Sequence, residues 1–160
     1  MIDNSASRSL IVLLRLSMAW TFLYAASHQV FVDWSVVGFL GSAKTFHGFF
    51  GLFTGPIVAP VITFLVSWGH LLIGLSLLVG LLVRVSSVFG IALMLLYWMA
   101  HMDFPYISDK NNFLVDEHIV NALVLGLMIA THAGHLWGLD AWAARQKSVT
   151  DRTWLAWATA

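Results

Sequence analysis

The sequence has no cysteine and few charged residues among its 160 positions. Without cysteine, these residues form no disulfide bond, thiolate metal site or cysteine nucleophile. Charged side chains make up only 10% of the sequence, and eight basic residues balance eight acidic ones. A chain without net positive charge lacks the usual means of binding phosphate backbones, so no nucleic-acid partner is expected.

Hydrophobic residues make up 59% of the sequence. Soluble domains are nearer half apolar and a quarter charged. A membrane-spanning helix needs about 20 mostly apolar residues. Four runs approach or exceed that length, at 9–32, 61–83, 85–102 and 114–133. The sequence therefore predicts an all-α, integral membrane four-helix bundle formed by one domain, 1–160.

The basic residues predict the orientation of this bundle. When four spans are drawn, most basic residues fall on one side: Arg8, Arg15, Arg84, Arg145, Lys147 and Arg152. Basic residues collect on the cytoplasmic side of membrane proteins. We therefore expect a multi-pass protein of the cell (inner) membrane with both termini in the cytoplasm.

Two segments outside the spans are typical of the membrane surface. Residues 33–60 combine many phenylalanines with glycines, which predicts one or two short interfacial helices on the outer face, between spans one and two. The C-terminal tail carries Trp142, Trp154 and Trp157 beside basic residues. That combination predicts an amphipathic interfacial segment.

Polar residues recur at helical spacing in every predicted span. The stripes comprise Ser17, Thr21, Tyr24 and His28 in the first span; Ser67, His70 and Gly74 in the second; Ser87, Gly90, Met94, Tyr97 and His101 in the third; and Glu117 and Asn121 in the fourth. Lipid cannot satisfy such groups, so we expect each stripe to face the other helices. This would gather three histidines and a carboxylate near the outer face.

Three residues are expected to differ in role although all are charged. Asp116 begins the fourth helix and is predicted to cap it near water. Glu117 shares a helix face with Asn121 and is predicted to line an inward pocket. Arg15 either extends to the headgroups or pairs with Asp140, and we expect its role to be structural.

Three stretches resemble the DoxX/DoxD family of membrane proteins: "LLRLSMAWTFLYAASHQV", "WGHLLIGLSLLVGLLVRVSS" and "HIVNALVLGLMIATHAGHLWGLDAW". The resemblance implies a four-helix membrane bundle. Its DoxD-like members are associated with thiosulfate:quinone oxidoreductase, which oxidises thiosulfate to tetrathionate while it reduces a membrane quinone. The resemblance also implies a second subunit, DoxA-like, and proximity to a terminal oxidase.

Together, the residues and the resemblance predict a quinone pocket near the outer face. Glu117, His70 and His101 are the predicted catalytic residues, with Glu117 as proton relay and the histidines as hydrogen-bond donors to the quinone oxygens. The predicted quinone-binding residues are His28, Tyr24, Tyr97 and Asn121. No haem or metal is predicted. Electrons would come directly from a substrate or from another subunit.

Two alternatives remain open from the sequence. The chain could be a non-catalytic structural subunit of a larger respiratory or photosynthetic membrane complex, its stripes serving helix packing. It could also hold a metal ion at the outer face, through nitrogen and oxygen ligands from His70, His101, His118 and Asp116.

Overall fold

The computed structural model describes residues 4–159, apart from the side chain of Asp109. Most of these residues are helical, which confirms the predicted all-α class. The helices are α1 (Ser5–Ser27), α2 (Val36–Gly41), α3 (His47–Gly51), α4 (Val58–Val79), α5 (Val83–His101), α6 (Glu117–Ala130), α7 (Asp140–Ala143), α8 (Lys147–Thr150) and α9 (Thr153–Ala158). The ends of the predicted domain, 1–3 and 160, lie outside the described residues.

Three helices, α1, α4 and α5, are long and apolar enough to cross a membrane, with 23, 22 and 19 residues. Their outward faces carry large apolar side chains: Leu13, Phe64 and Phe89 are 60%, 58% and 65% exposed. So much apolar surface is unusual for a protein in water. The faces suit contact with lipid, as expected of a multi-pass membrane protein.

The fourth predicted span is shorter than 114–133, because α6 has only 14 residues. At 1.5 Å per residue it is about 21 Å long, against a hydrocarbon core of about 30 Å. Asp116 fixes its start by accepting hydrogen bonds from the amides of His118 and Ile119. Beyond its end, His132 adopts a left-handed conformation with φ of 48°, and a 3₁₀ turn follows at Ala133–His135.

The long helices pack as two pairs, α1 along α4 and α5 along α6. Fully buried side chains fill the space between the pairs, among them Phe22, Leu77, Leu125 and Met128. A second core, around Val36, Leu40 and Phe50, lies where α2 and α3 meet α4 and α5. The short helices α2 and α3 agree with the one or two short helices predicted between the first two spans.

The segment after α5, between the third and fourth predicted spans, forms a small sheet. Its strands are β1 (Met102–Asp103), β2 (Tyr106–Ile107) and β3 (Asp109–Phe113). They pair antiparallel in the order β1-β2-β3, with Met102 opposite Ile107. Strands this short carry too few residues for an alternating pattern to show in the sequence.

A buried arginine joins the first helix to the segment that follows α6. Arg15 is only 2% exposed. Its guanidinium donates hydrogen bonds to the carbonyls of Ala133 at 2.6 Å, Leu136 at 2.8 Å and Trp137 at 3.3 Å. The structural role expected for Arg15 is confirmed. Its hydrogen-bond partners, however, are backbone carbonyls and not the carboxylate of Asp140.

Asp140 makes a second connection at the same end of the bundle. Its carboxylate accepts hydrogen bonds from the amides of Leu82 at 2.7 Å and Val83 at 3.1 Å, at the start of α5. Burial raises the pKa of Asp140, against the opposing effect of these amides and of the nearby His135 and Arg15. The carboxylate thus connects the α4–α5 turn to α7.

Replacing Arg15 should destabilise the bundle strongly. Arg15→Met keeps an apolar stem but leaves three backbone carbonyls without their donor, and each buried acceptor left unpaired costs about 1–3 kcal/mol. Thermal unfolding in detergent measures the loss. Arg8→Met, a matched change at an exposed position of the same helix, should have little effect. Equal melting temperatures for the two variants would contradict the role assigned to Arg15.

Candidate functional site

Four aromatic side chains from α4, α5 and the start of α6 form what we call the histidine cluster: His70, Tyr97, His101 and His118. The rings of His101 and His118 stack with centroids 5.0 Å apart, and Tyr97 lies parallel to His118 at 5.8 Å. His70 meets the edge of Tyr97 at 5.6 Å. His70, His101 and His118, which are far apart in the sequence, are thus neighbours in the fold.

The Nδ1 atom of each histidine in the cluster is hydrogen-bonded to an oxygen acceptor. The pairs are His70 with the Val66 carbonyl at 2.8 Å, His101 with the Tyr97 carbonyl at 2.9 Å, and His118 with the Asp116 carboxylate at 2.6 Å. A carbonyl or carboxylate oxygen only accepts, so Nδ1 must carry the proton. In a neutral ring, Nε2 is then an unprotonated acceptor.

The cluster borders an open cleft between α1 and α6, which we call the α1–α6 cleft. Its volume is about 230 Å³. The lining residues come from α1, the turn that follows it, α4, α5 and α6: Thr21, Phe22, Ala25, Gln29, His70, Met94, Tyr97, Glu117, His118 and Asn121. Apolar and polar side chains alternate around one concave surface, as is common in small-molecule sites.

The structure brings some predicted site residues together at this cleft. His70, Tyr97, Glu117 and Asn121 all line it. His101 is not among the lining residues. Its ring stacks on that of His118 and lies 5.1 Å from the ring of Phe39 in α2. The predicted inward faces of α4 and α5 are confirmed, since both helices bury the expected stripe.

Tyr24 and His28 are not part of the cleft, and the inward direction predicted for these two residues is wrong. Tyr24 is 57% exposed and His28 is also exposed. The stripe satisfies its polar groups on its own helix: Thr21 donates to the Ser17 carbonyl, and the His28 Nδ1 atom donates to the Tyr24 carbonyl at 3.0 Å. Such internal hydrogen bonds remove the need to face another helix.

Asp116 differs in part from its predicted place near water. It caps α6 as expected, but it is only 5% exposed. One carboxylate oxygen accepts the helix amides while the other holds the His118 ring. Asp116 therefore orients a histidine of the cluster as well as starting the helix.

Gln29 and His118 line the cleft, although Gln29 was not predicted as a site residue and His118 was named only as a ligand in the metal alternative. Gln29 lies in the turn that follows α1, which ends at Ser27. Helical spacing in the sequence therefore does not indicate it. For His118 the signal was its position two residues after a capping aspartate.

Comparison with protein families places this fold in a known group. The family model described as DoxX matches residues 10–102, more than half of the sequence. The chain belongs to the DoxX family. DoxX is a membrane family loosely associated with quinone-linked oxidoreductase subunits. Searches of curated proteins and of solved structures found no match to this DoxX chain.

One group of possible metal ligands occurs among the described residues of this DoxX chain. The ligand atoms of Asp116, Glu117 and His118 lie within 4.8 Å of one another. Both Asp116 oxygens already accept hydrogen bonds, one from two helix amides and the other from the His118 ring. His70 and His101, named in the metal alternative, are not part of this group.

Changing Asp116 to asparagine should affect His118 more than it affects the fold. Asparagine also caps helices, so the melting temperature should stay close to that of the wild type. Its neutral amide no longer favours the proton on Nδ1 of His118, and the other tautomer should become populated. Nitrogen NMR of labelled histidine measures the tautomers. His101, which bonds to a backbone carbonyl, is the internal control, and an unchanged His118 signal would contradict the assigned role.

Proposed function

We propose that this DoxX chain is the membrane subunit of a quinone-linked oxidoreductase and that the α1–α6 cleft binds the quinone ring. The observation that carries the proposal is the meeting of His70, Tyr97, His118 and Glu117 at one cleft in an apolar bundle. Ionisable groups inside membrane bundles mark functional sites far more often than they serve packing alone.

The chemistry of the cleft fits a quinone. A bound quinone supplies a two-electron, two-proton acceptor. The apolar walls from Phe22, Ala25 and Met94 suit a ring. The cleft opens between α1 and α6, and Thr21 and Glu117 are exposed at this mouth, so a quinone ring can enter there.

The histidines act through Nε2 in this proposal. The Nε2 atoms of His70 and His118 accept a hydrogen bond when the rings are neutral and donate one only after they bind a second proton. The donor role expected from sequence therefore applies to the protonated rings alone. Glu117, at the mouth, exchanges protons between the histidines and water.

The electron donor belongs to a partner in this proposal. The family resemblance implies thiosulfate and a DoxA-like subunit. Lys44, the basic residue of the 33–60 segment, forms a salt bridge with Asp103 at 2.6 Å and is thereby neutralised. An anionic donor would therefore bind on a partner subunit, close enough to the cleft for electron transfer.

Substitutions in the cleft should weaken quinone binding without unfolding the protein. His70→Leu removes an acceptor while keeping apolar volume, and Glu117→Gln removes the titrating proton but keeps the shape. Binding of a short-chain quinone to protein in nanodiscs should fall by about tenfold for His70→Leu. When the bound quinone is reduced chemically with dithionite, its proton uptake should be slower for Glu117→Gln.

His28→Leu is the matched control, because His28 lies on the first helix outside the cleft. It should bind the quinone as the wild type does. If His70→Leu and His28→Leu bind equally well, the histidine cluster serves packing and the structural-subunit alternative holds.

We further propose that the chain lies in the cell membrane with both termini in the cytoplasm, because the basic residues collect on that side. A phosphatase reporter, which is active only outside the cytoplasm, should be inactive when fused after Ala160. The same reporter inserted in the segment between α2 and α3 should be active. The reverse result would overturn the orientation.

A further inference from the structure

The C-terminal tail, which comprises α7, α8 and α9, is held against one end of the helix bundle. At its beginning, the Asp140 carboxylate accepts the two amides at the start of α5. At its end, Arg84 of α5 donates to the Trp157 carbonyl at 3.2 Å, and Nε2 of His135 lies 2.6 Å from the Thr159 carbonyl. The tail therefore lies at the level where α4 ends and α5 begins, which is one end of two membrane-crossing helices.

Four tryptophans at this end of the bundle are exposed. Trp137, Trp142, Trp154 and Trp157 each have more than half of their surface uncovered. Trp154 and Trp157 are three residues apart in α9, so they are neighbours on the surface of that helix. Tryptophan is enriched at the level of lipid headgroups, where its ring contacts apolar matter while its N–H contacts water. The exposed indoles therefore favour contact between the tail and a lipid surface.

Three basic side chains lie between Trp142 and Trp154 in the sequence: Arg145, Lys147 and Arg152. All three are exposed. Within the part of the chain that the structure describes, none of them forms a salt bridge. The tail has two acidic residues, of which Asp140 is buried against α5 and only Asp151 is exposed. The exposed charge of the tail is therefore positive.

The position, the tryptophans and the charge together indicate one kind of partner. A basic residue beside a membrane attracts anionic headgroups, and its attraction falls off within a few ångströms to a Debye length of the surface. The tail is fixed at the ends of helices that cross the bilayer, so its basic residues lie within that distance of the headgroups. An acidic soluble protein would match the charge, but it would not account for four exposed indoles at the same level.

We propose that α7, α8 and α9 form a binding surface for anionic phospholipids, which we call the tail surface. Arg145, Lys147 and Arg152 attract the negative charge of the headgroups, while the exposed indoles enter the boundary between headgroups and acyl chains. In the orientation proposed above this is the cytoplasmic leaflet, which carries the negative surface potential. None of these residues lines the α1–α6 cleft, so the tail surface does not depend on quinone binding.

The absence of cysteine allows a single reporter to be placed in the tail surface. Ser148 is exposed in α8, so Ser148→Cys can carry a small fluorophore on the full chain in nanodiscs of phosphatidylcholine. A small, equal share of either phosphatidylglycerol or phosphatidylcholine then carries a spin label near the top of one acyl chain, which quenches a fluorophore close to it. The ratio of the two quenching signals measures how strongly the anionic lipid is enriched at the tail.

Phosphatidylglycerol should be enriched next to the fluorophore by at least about fivefold over phosphatidylcholine, which is the preference of one basic residue at a lipid surface. Salt at about 1 M, where the Debye length is about 3 Å, should remove most of this preference. Equal quenching by the two lipids at low salt would overturn the proposal.

A triple variant assigns the preference to the three basic residues. Combining Arg145→Gln, Lys147→Gln and Arg152→Gln should bring the ratio close to one and leave the melting temperature unchanged, because these side chains are exposed and form no salt bridge. The matched control combines Lys44→Gln and Lys110→Gln, which change exposed basic residues at the opposite end of the bundle. This control should keep the wild-type ratio. A triple variant that also keeps it would contradict the proposal.

A second label position shows whether the enrichment belongs to the tail. Ser42 is exposed in the segment between α2 and α3, at the opposite end of the bundle. The same fluorophore on Ser42→Cys should be quenched equally by the two lipids. If the preference at Ser42 is as strong as that at Ser148, anionic lipid surrounds the whole protein and the tail surface is not a binding surface of its own.

Polyglutamate that carries a quencher tests the acidic soluble partner. Added to wild-type protein in nanodiscs that contain phosphatidylglycerol, it should neither quench the fluorophore at Ser148 nor displace the anionic lipid. If polyglutamate quenches the fluorophore in the wild type but not in the triple variant, and phosphatidylglycerol is not enriched, the surface binds an acidic protein and the lipid proposal is wrong.

Discussion

Lipid offers no hydrogen-bond partner, and this constraint accounts for most polar contacts in the bundle. The guanidinium of Arg15 donates hydrogen bonds to carbonyls that follow α6. The carboxylate of Asp140 accepts hydrogen bonds from the amides at the start of α5. Two buried charges thereby connect α1, the α4–α5 turn and the end of α6. The helices that carry the histidine cluster are held together at their opposite end by these contacts.

The same constraint determines the chemistry available at the cluster. A histidine in an apolar helix binds the carbonyl one turn earlier through Nδ1, as His70 and His101 do. Only Nε2 is then left for a ligand, and it accepts until the ring is protonated.

Parts of the candidate site could be predicted from the sequence because they follow helical spacing. The polar stripes of α4 and α5 face inward as expected, since Ser67, His70 and Ser87 are buried. The stripe of Tyr24 and His28 has the same spacing but faces outward. Spacing fixes which residues share a face, whereas the direction of that face depends on where the other helices pack.

The sequence by itself determined the membrane class, the all-α fold, the approximate helix positions and the DoxX resemblance, because composition and periodicity are local properties. Only the tertiary structure decided the partners of Arg15, the length of α6, the second hydrogen bond of Asp116 and the α1–α6 cleft. The reason is sequence separation: Arg15 and Ala133 are 118 positions apart. Contacts between such distant residues arise only when the apolar faces of several helices pack together.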